Sequence, residues 1–130
     1  MSDIFDEIAR LYKIFKTKPA SEEQIKEAEK KLGRTFPKEY RDYLKRFGAI
    51  SFSNTELTGL NVDKYANVVD VTLREMELNE NFPKDCIVLE NVGVDGVLIL
   101  INSKGEVFEW DGNTLRKIYD SIEDYLRSKL

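Results

Sequence analysis

Gly96-Val97-Leu98-Ile99-Leu100-Ile101 runs into Asn102-Ser103-Lys104-Gly105, and Val107-Phe108-Glu109-Trp110 follows. From Val97 to Ile101 every position is apolar. A strand with one wet face would alternate, so this one reads as a central strand covered on both faces. The polar stretch with its glycine is hairpin-like and joins that strand to the next. Another strand is read at residues 86–89, ahead of the pair. A doubly covered central strand needs helices on the sheet, and the flanking segments must supply them.

Working upstream, residues 67–79 return to helical habit, with Val68, Val71, Leu73 and Met76 apolar and Asp70, Arg74, Glu75 and Glu77 polar. Residues 50–52 and 56–60 are β-like and are separated by Ser53-Asn54, which predicts a short hairpin. Pro37 in the first turn of a helix gives up no hydrogen bond it would have made. Tyr40, Tyr43, Leu44 and Phe47 supply that helix with an apolar stripe, and Gly48 ends it. Ser21-Glu22-Glu23-Gln24 is a capping box, in which the serine oxygen accepts from the amide three residues on and the glutamine reaches back. Its helix buries Ile25, Ala28 and Leu32, and Gly33 sits where a left-handed terminal residue is wanted. At the start of the chain Ile4, Ile8, Leu11, Tyr12 and Phe15 recur at helical spacing, with Asp3 as cap and Pro19 as the stop. Downstream of the strands, Asp120 or Ser121 caps a last helix carrying Ile122, Tyr125 and Leu126.

This order predicts an α+β fold, a mainly antiparallel sheet flanked by helices. A chain of 130 residues buries roughly two thirds of its unfolded surface on folding. With no repeat, linker or low-complexity segment, residues 1–130 read as a single domain. Hydrophobic residues at 42% and charged residues at 34% suit a soluble globular domain rather than a fibre, a disordered tail or a membrane protein. The chain opens with acidic residues and its apolar runs fall far short of a membrane span, so no export signal or anchor is read. Cys86 is the one cysteine, which rules out an intrachain disulfide and fits the reducing cytoplasm expected for it.

Histidine is absent. That removes the usual general base near neutral pH and excludes serine-histidine and cysteine-histidine catalysis. One cysteine without histidine cannot build a Cys/His zinc site, so any metal would be held by oxygen. Asn91-Val92-Gly93-Val94-Asp95-Gly96 alternates oxygen ligands as a calcium loop does, but its third place is Gly93 and its twelfth is Asn102. A tight turn feeding the central strand explains the same residues, and Asp111-Gly112-Asn113 is likewise a turn. Gly93 and Gly96 match neither phosphate-binding loop pattern. Glu75 and Glu77, two apart on a helix, do not face one another as an acid–base pair would. Trp110, with Phe108 two residues before it on the same strand face, reads as core rather than as a stacking platform. No cofactor and no catalytic residue is expected.

Charge is unevenly spread. Residues 1–50 hold 12 Lys/Arg and 9 Asp/Glu, residues 51–101 hold 3 and 9, and residues 102–130 hold 5 and 6. In the middle segment Glu56, Asp63, Asp70, Glu75, Glu77, Glu80, Asp85, Glu90 and Asp95 are offset only by Lys64, Arg74 and Lys84. Such residues keep a protein soluble as solvated faces and turns. They also form a surface that steers a basic partner, and on that reading the partner-binding candidates are Glu56, Asp63, Glu75, Glu77, Glu80 and Asp85. The same charge argues against DNA or RNA, which need clustered Lys/Arg on one face. Lys26, Lys30, Lys31 and Arg34 do cluster, but with Glu27 and Glu29 among them they read as a salt-bridged helix face.

Ser21-Glu22-Glu23-Gln24-Ile25, Glu29, Leu32-Gly33, Phe36-Pro37, Tyr40 and Tyr43-Leu44, continuing through Gly48 and Gly59, together resemble the opening signature of the SMI1/KNR4-like (SUKH) family. The order of the strand at residues 96–101, the Gly105 turn, the strand ending at Trp110 and the late helix is similar too. Phe47-Gly48 stands where the family's usual motif has Asn-Gly. The resemblance implies an α+β domain without enzymatic activity that acts as a bacterial immunity protein, binding a cognate polymorphic or contact-dependent toxin, often a nuclease. Fungal relatives imply the alternative of a regulatory adaptor for an endogenous protein. A third class, an enzyme using carboxylates and an oxygen-held metal, is disfavoured by the missing histidine.

Overall fold

Asp3 opens the first helix by accepting from the Phe5 amide at 2.7 Å, and α1 (Ile4–Leu11) buries Ile4 and Ile8. The computed structural model describes residues 3–93 and 96–130. After Leu11 the chain straightens, and Phe15, read above as helical, lies in β1 (Phe15–Lys16) with its ring exposed. Tyr12-Lys13-Ile14 suits extended backbone, and pairing with a later strand outweighs another helical turn.

α2 (Glu22–Leu32) carries the complete capping box: Gln24 N–H donates to Ser21 Oγ at 3.1 Å and Ser21 N–H to Gln24 Oε1 at 3.0 Å. Gly33 ends it at φ 64°, and Ile25, Ala28 and Leu32 are buried as their spacing predicts. α3 (Lys38–Phe47) begins one residue after Pro37, which occupies the cap position and accepts from the Arg41 amide at 3.0 Å. Tyr40, Tyr43, Leu44 and Phe47 are all buried.

The expected hairpin is β2 (Ile50–Phe52) and β3 (Thr55–Glu56), and β1 adds to its other side to make a three-stranded antiparallel sheet. β3 stops at Glu56, short of the predicted Leu60, because residue 58 turns to the second sheet. Thr58 donates its amide to Leu89 O and its hydroxyl to Val88 O, each at 2.8 Å. α4 (Val68–Leu78) is capped by Asn67. Its buried face includes Thr72, whose hydroxyl accepts from the Val88 amide at 3.1 Å, whereas Leu73, counted above among the apolar residues of this helix, is exposed.

The second sheet is an antiparallel meander of β4 (Cys86–Asn91), β5 (Leu98–Asn102), β6 (Val107–Trp110) and β7 (Leu115–Tyr119). So the molecule has two sheets where the sequence suggested one. The turn expected between Asn91 and Gly96 has its middle, Val94 and Asp95, outside the described residues. α5 (Ile122–Arg127) closes the chain, capped by Ser121 rather than Asp120.

β5 is covered on both faces, as its composition requires. Ile99 and Ile101 enter the larger core with Ile87, Leu89 and apolar residues of α1, α2, α3 and α5. Leu98 and Leu100 enter a smaller core with Val88, Cys86, Val71 and Trp110, which meets Phe82 edge-on at 5.1 Å. Between Val88 and Glu90 a bulge shifts the β4 register. It re-aims Glu90 so that its carboxylate accepts from the buried Tyr125 hydroxyl and lies 3.4 Å from Lys129 Nζ.

Three chain segments cross at Gly48 and Gly59. Leu60 N–H donates to Gly48 O at 2.9 Å, and Thr17 ties both sides through its amide to Ala49 O and its hydroxyl to Leu60 O. The backbones approach too closely for a side chain on either glycine. This crossing sets β1, the hairpin and the turn at residues 61–66 side by side.

Candidate functional site

The six acidic candidates occupy three places. Glu56, on β3, and Asp63, on the turn before α4, line one groove of about 160 Å³ together with Phe15 and Lys16 of β1. Asp63 is held there by accepting from the Tyr65 amide at 3.1 Å. Glu75, Glu77 and Glu80 lie at the far end of α4, beside Leu78, which is 73% exposed. Asp85, ahead of β4, accepts from the Ser103 hydroxyl at 2.8 Å and so also braces the β5–β6 turn.

Among the described residues none of these six forms an ion pair, whereas acids elsewhere largely do. Glu22 pairs with Lys45 and Arg41, Asp3 and Asp6 with Arg46, and Glu106 with Lys117. The acids of the first fifty residues are thus largely paired, mostly with bases of the same segment, and the carboxylates of the middle segment are left facing outward. Glu90 is the exception: at 3% exposure it belongs to the core, and the sequence-based count of surface acids must drop it.

The basic cluster also differs from expectation. Lys31 pairs with Glu27 at 3.4 Å, but Arg34 joins no ion pair among the described residues. Its guanidinium donates to Leu32 O at 2.9 Å and Pro83 O at 3.3 Å and stands 5.8 Å from the Phe82 ring centre. Partial burial lowers its affinity for a proton, and its role is to clamp the end of α2 to the loop before β4. No helical charge pattern would disclose this.

A second concavity went unseen in the sequence because its acids come from distant segments. It measures about 390 Å³ and includes Asp3, Glu39, Asp42 and Glu123 above the Phe5 and Tyr43 rings. Burial pushes the Glu39 carboxyl up, and the amides of Ile122 and Glu123, at 2.6 and 3.0 Å, pull it partly back. Both Glu39 oxygens are therefore occupied in capping α5 across the fold. Asp42 is paired with Lys38, Asp3 with Arg46 and Glu123 with Arg127. An acid–base pair needs a carboxyl free to exchange its proton with a substrate. Among the described residues no three Cys, Asp or Glu side chains converge as metal ligands would.

Cys86 is buried, and burial beside Asp85 pushes its thiol up to about 12. Trp110 is buried as expected. Asp111 accepts from the Asn113 and Thr114 amides at 2.9 and 2.8 Å, which is the turn read from Asp111-Gly112-Asn113. Those donors lower its carboxyl below the usual range.

No described helix is long and apolar enough to cross a membrane. A search of curated proteins finds no match to this chain. The family described as SMI1-KNR4 cell-wall (SUKH_5) matches residues 1–130, the full length that carries the capping box, the Gly48 and Gly59 crossing and the doubly covered strand. The chain belongs to the SMI1-KNR4 family.

Proposed function

We propose that this chain is a non-enzymatic immunity protein that binds a cognate basic toxin, such as a nuclease, and covers its working surface. The observation that carries this reading is the set of six acidic side chains that form no ion pair among the described residues. Uncompensated carboxylates on one protein raise the rate of encounter with a cationic partner and disfavour nucleic acid itself. Family membership supports a binding role, and the described carboxylates that share a concavity with Glu39 are engaged structurally.

Coexpression with a candidate basic toxin, one encoded next to its gene, tests the proposal. Growth is restored and the two proteins co-purify if it holds; no rescue and no complex overturn it. Glu75→Lys, Glu77→Lys and Glu80→Lys together weaken the complex at least tenfold while the unfolding midpoint stays put, because exposed charges add little to stability. The matched family's association with the cell wall favours a second reading, a regulatory adaptor for an endogenous protein. An adaptor co-purifies with a housekeeping partner and rescues no poisoned cell.

A further inference from the structure

The groove that brings Glu56 and Asp63 together has an apolar floor and a charged rim. Ala49, Ile50, Leu57 and Ala66 line it from below, Lys16 stands on the β1 wall, and Phe15 flanks it with 59% of its surface exposed. On the same turn as Asp63, Tyr65 is 70% exposed. We propose that this groove receives one lysine or arginine side chain of a basic protein partner, with the aliphatic stem on the floor and the cationic head at Glu56 and Asp63. The proposal rests on the reading above and assigns the contact at which that partner is held.

Size and chemistry both select such a guest. A volume of about 160 Å³ suits one long side chain and is small for a free metabolite, whose pockets run from about 300 Å³ upward. An anionic guest would meet two carboxylates that form no ion pair among the described residues, Lys16 included. A purely apolar guest would bury the floor and leave those carboxylates facing nothing. A lysine or arginine satisfies both, since its stem covers apolar surface while its head remains polar. Lys16 repels the head from the β1 end and so gives the guest a direction.

Two exposed rings stand near the groove, Phe15 on its edge and Tyr65 on the Asp63 turn. Each already holds a lysine of its own chain, Lys13 Nζ at 5.1 Å and Lys64 Nζ at 5.4 Å from the ring centre, so what they offer a guest is contact area for its stem rather than a site for its head. Exposed aromatic residues beside a small concavity are also the residue type on which binding energy concentrates in protein interfaces. The α4 end offers Glu75, Glu77 and Glu80 without such a floor.

The test titrates the full-length, ¹⁵N-labelled chain with a tetra-arginine and a tetra-lysine peptide, and with tetra-glutamate as control. The expected amide shifts are confined to residues 49–51, 56–57 and 62–66, saturate with both cationic peptides and are absent with the acidic one. Glu56→Gln with Asp63→Asn weakens binding about tenfold, the loss of charge-assisted hydrogen bonds. The fold is unchanged, because both side chains keep their shape and the carbonyl oxygen that Asp63→Asn retains still accepts from the Tyr65 amide. Glu23→Gln with Asp124→Asn, exposed carboxylates on α2 and α5 that lie outside the groove, leaves the affinity as it was. Shifts spread equally over residues 75–80, an unaffected double variant, or no shift at all overturns the proposal. So does a groove whose signals move with protein concentration alone, which makes the occupant a second copy. A groove that binds the peptides in a chain that neutralises no toxin refutes only the proposed function; a neutralised toxin with a silent groove refutes only this assignment.

Discussion

A Cβ added at Gly59 would collide with the Gly48 carbonyl oxygen and lie 2.6 Å from Ala49 Cβ, and both neighbours are backbone or next to it. Neither can yield without separating the crossing that Thr17 and Leu60 hold together. Gly59→Ala is therefore expected to destabilise the protein by about 3 kcal/mol or more in urea unfolding, the upper range for overpacking. Gly33 is a contrasting case: a Cβ there meets nothing within 4 Å, and only the positive φ opposes it. Gly33→Ala is expected to lose about 1 kcal/mol, the strain of the left-handed conformation alone. Equal losses at the two sites would contradict this assignment of packing to one and conformation to the other. Cys86 gives a second residue-scale prediction. With its thiol buried and pushed up to about 12, an aromatic disulfide reagent at neutral pH labels it only as fast as the fold opens. Rapid labelling of the native chain would show that β4 is not sealed as described.

Among the elements, α5 depends on a contact from far along the chain, the Glu39 carboxylate on its first two amides. Burial, reinforced by Glu123 and Asp124, raises this carboxyl above its ordinary 4.5. An acid held above its unfolded value binds its proton more tightly when folded, so its contribution is greatest below 4.5 and is lost as pH rises through the window above that value. Glu39→Gln gives up one acceptor, about 1 kcal/mol, and abolishes this titration. The variant's deficit in unfolding free energy should be largest at about pH 4 and narrow toward pH 7, and a deficit independent of pH would contradict this role for Glu39. Elements with strong local signals were legible in the sequence. The capping box of α2, the αL glycine after it, the stripe of α3 and the all-apolar β5 each state their structure within a few residues. β7 was not, since Leu115-Arg116-Lys117-Ile118-Tyr119 has two adjacent cations and largely exposed side chains. As an edge strand it gains its place from cross-strand pairs, Arg116 with Glu109 and Lys117 with Glu106, which only the fold brings together. β1 was hidden for a related reason, because Phe15 happens to continue the helical spacing of α1.

For the whole molecule, the acidic middle segment was legible as charge but not as a surface. The sequence counted Glu90 with the rest, while the bulge in β4 takes it into the core, and nothing local joins Glu56 to Asp63 in one groove. What remains outside is a charge distribution in which the acidic groups near the helices α1 to α3 are largely paired with basic ones and, among the described residues, those from β3 to β4 other than Glu90 are not. The most direct test of binding through those carboxylates is the affinity of the purified chain for the proposed basic toxin partner, measured at low and at high salt. A tight complex is expected, with an association rate that falls steeply as salt screens the charges and a dissociation rate that changes little. A complex whose association is indifferent to salt, or the absence of any complex at low salt, would contradict it.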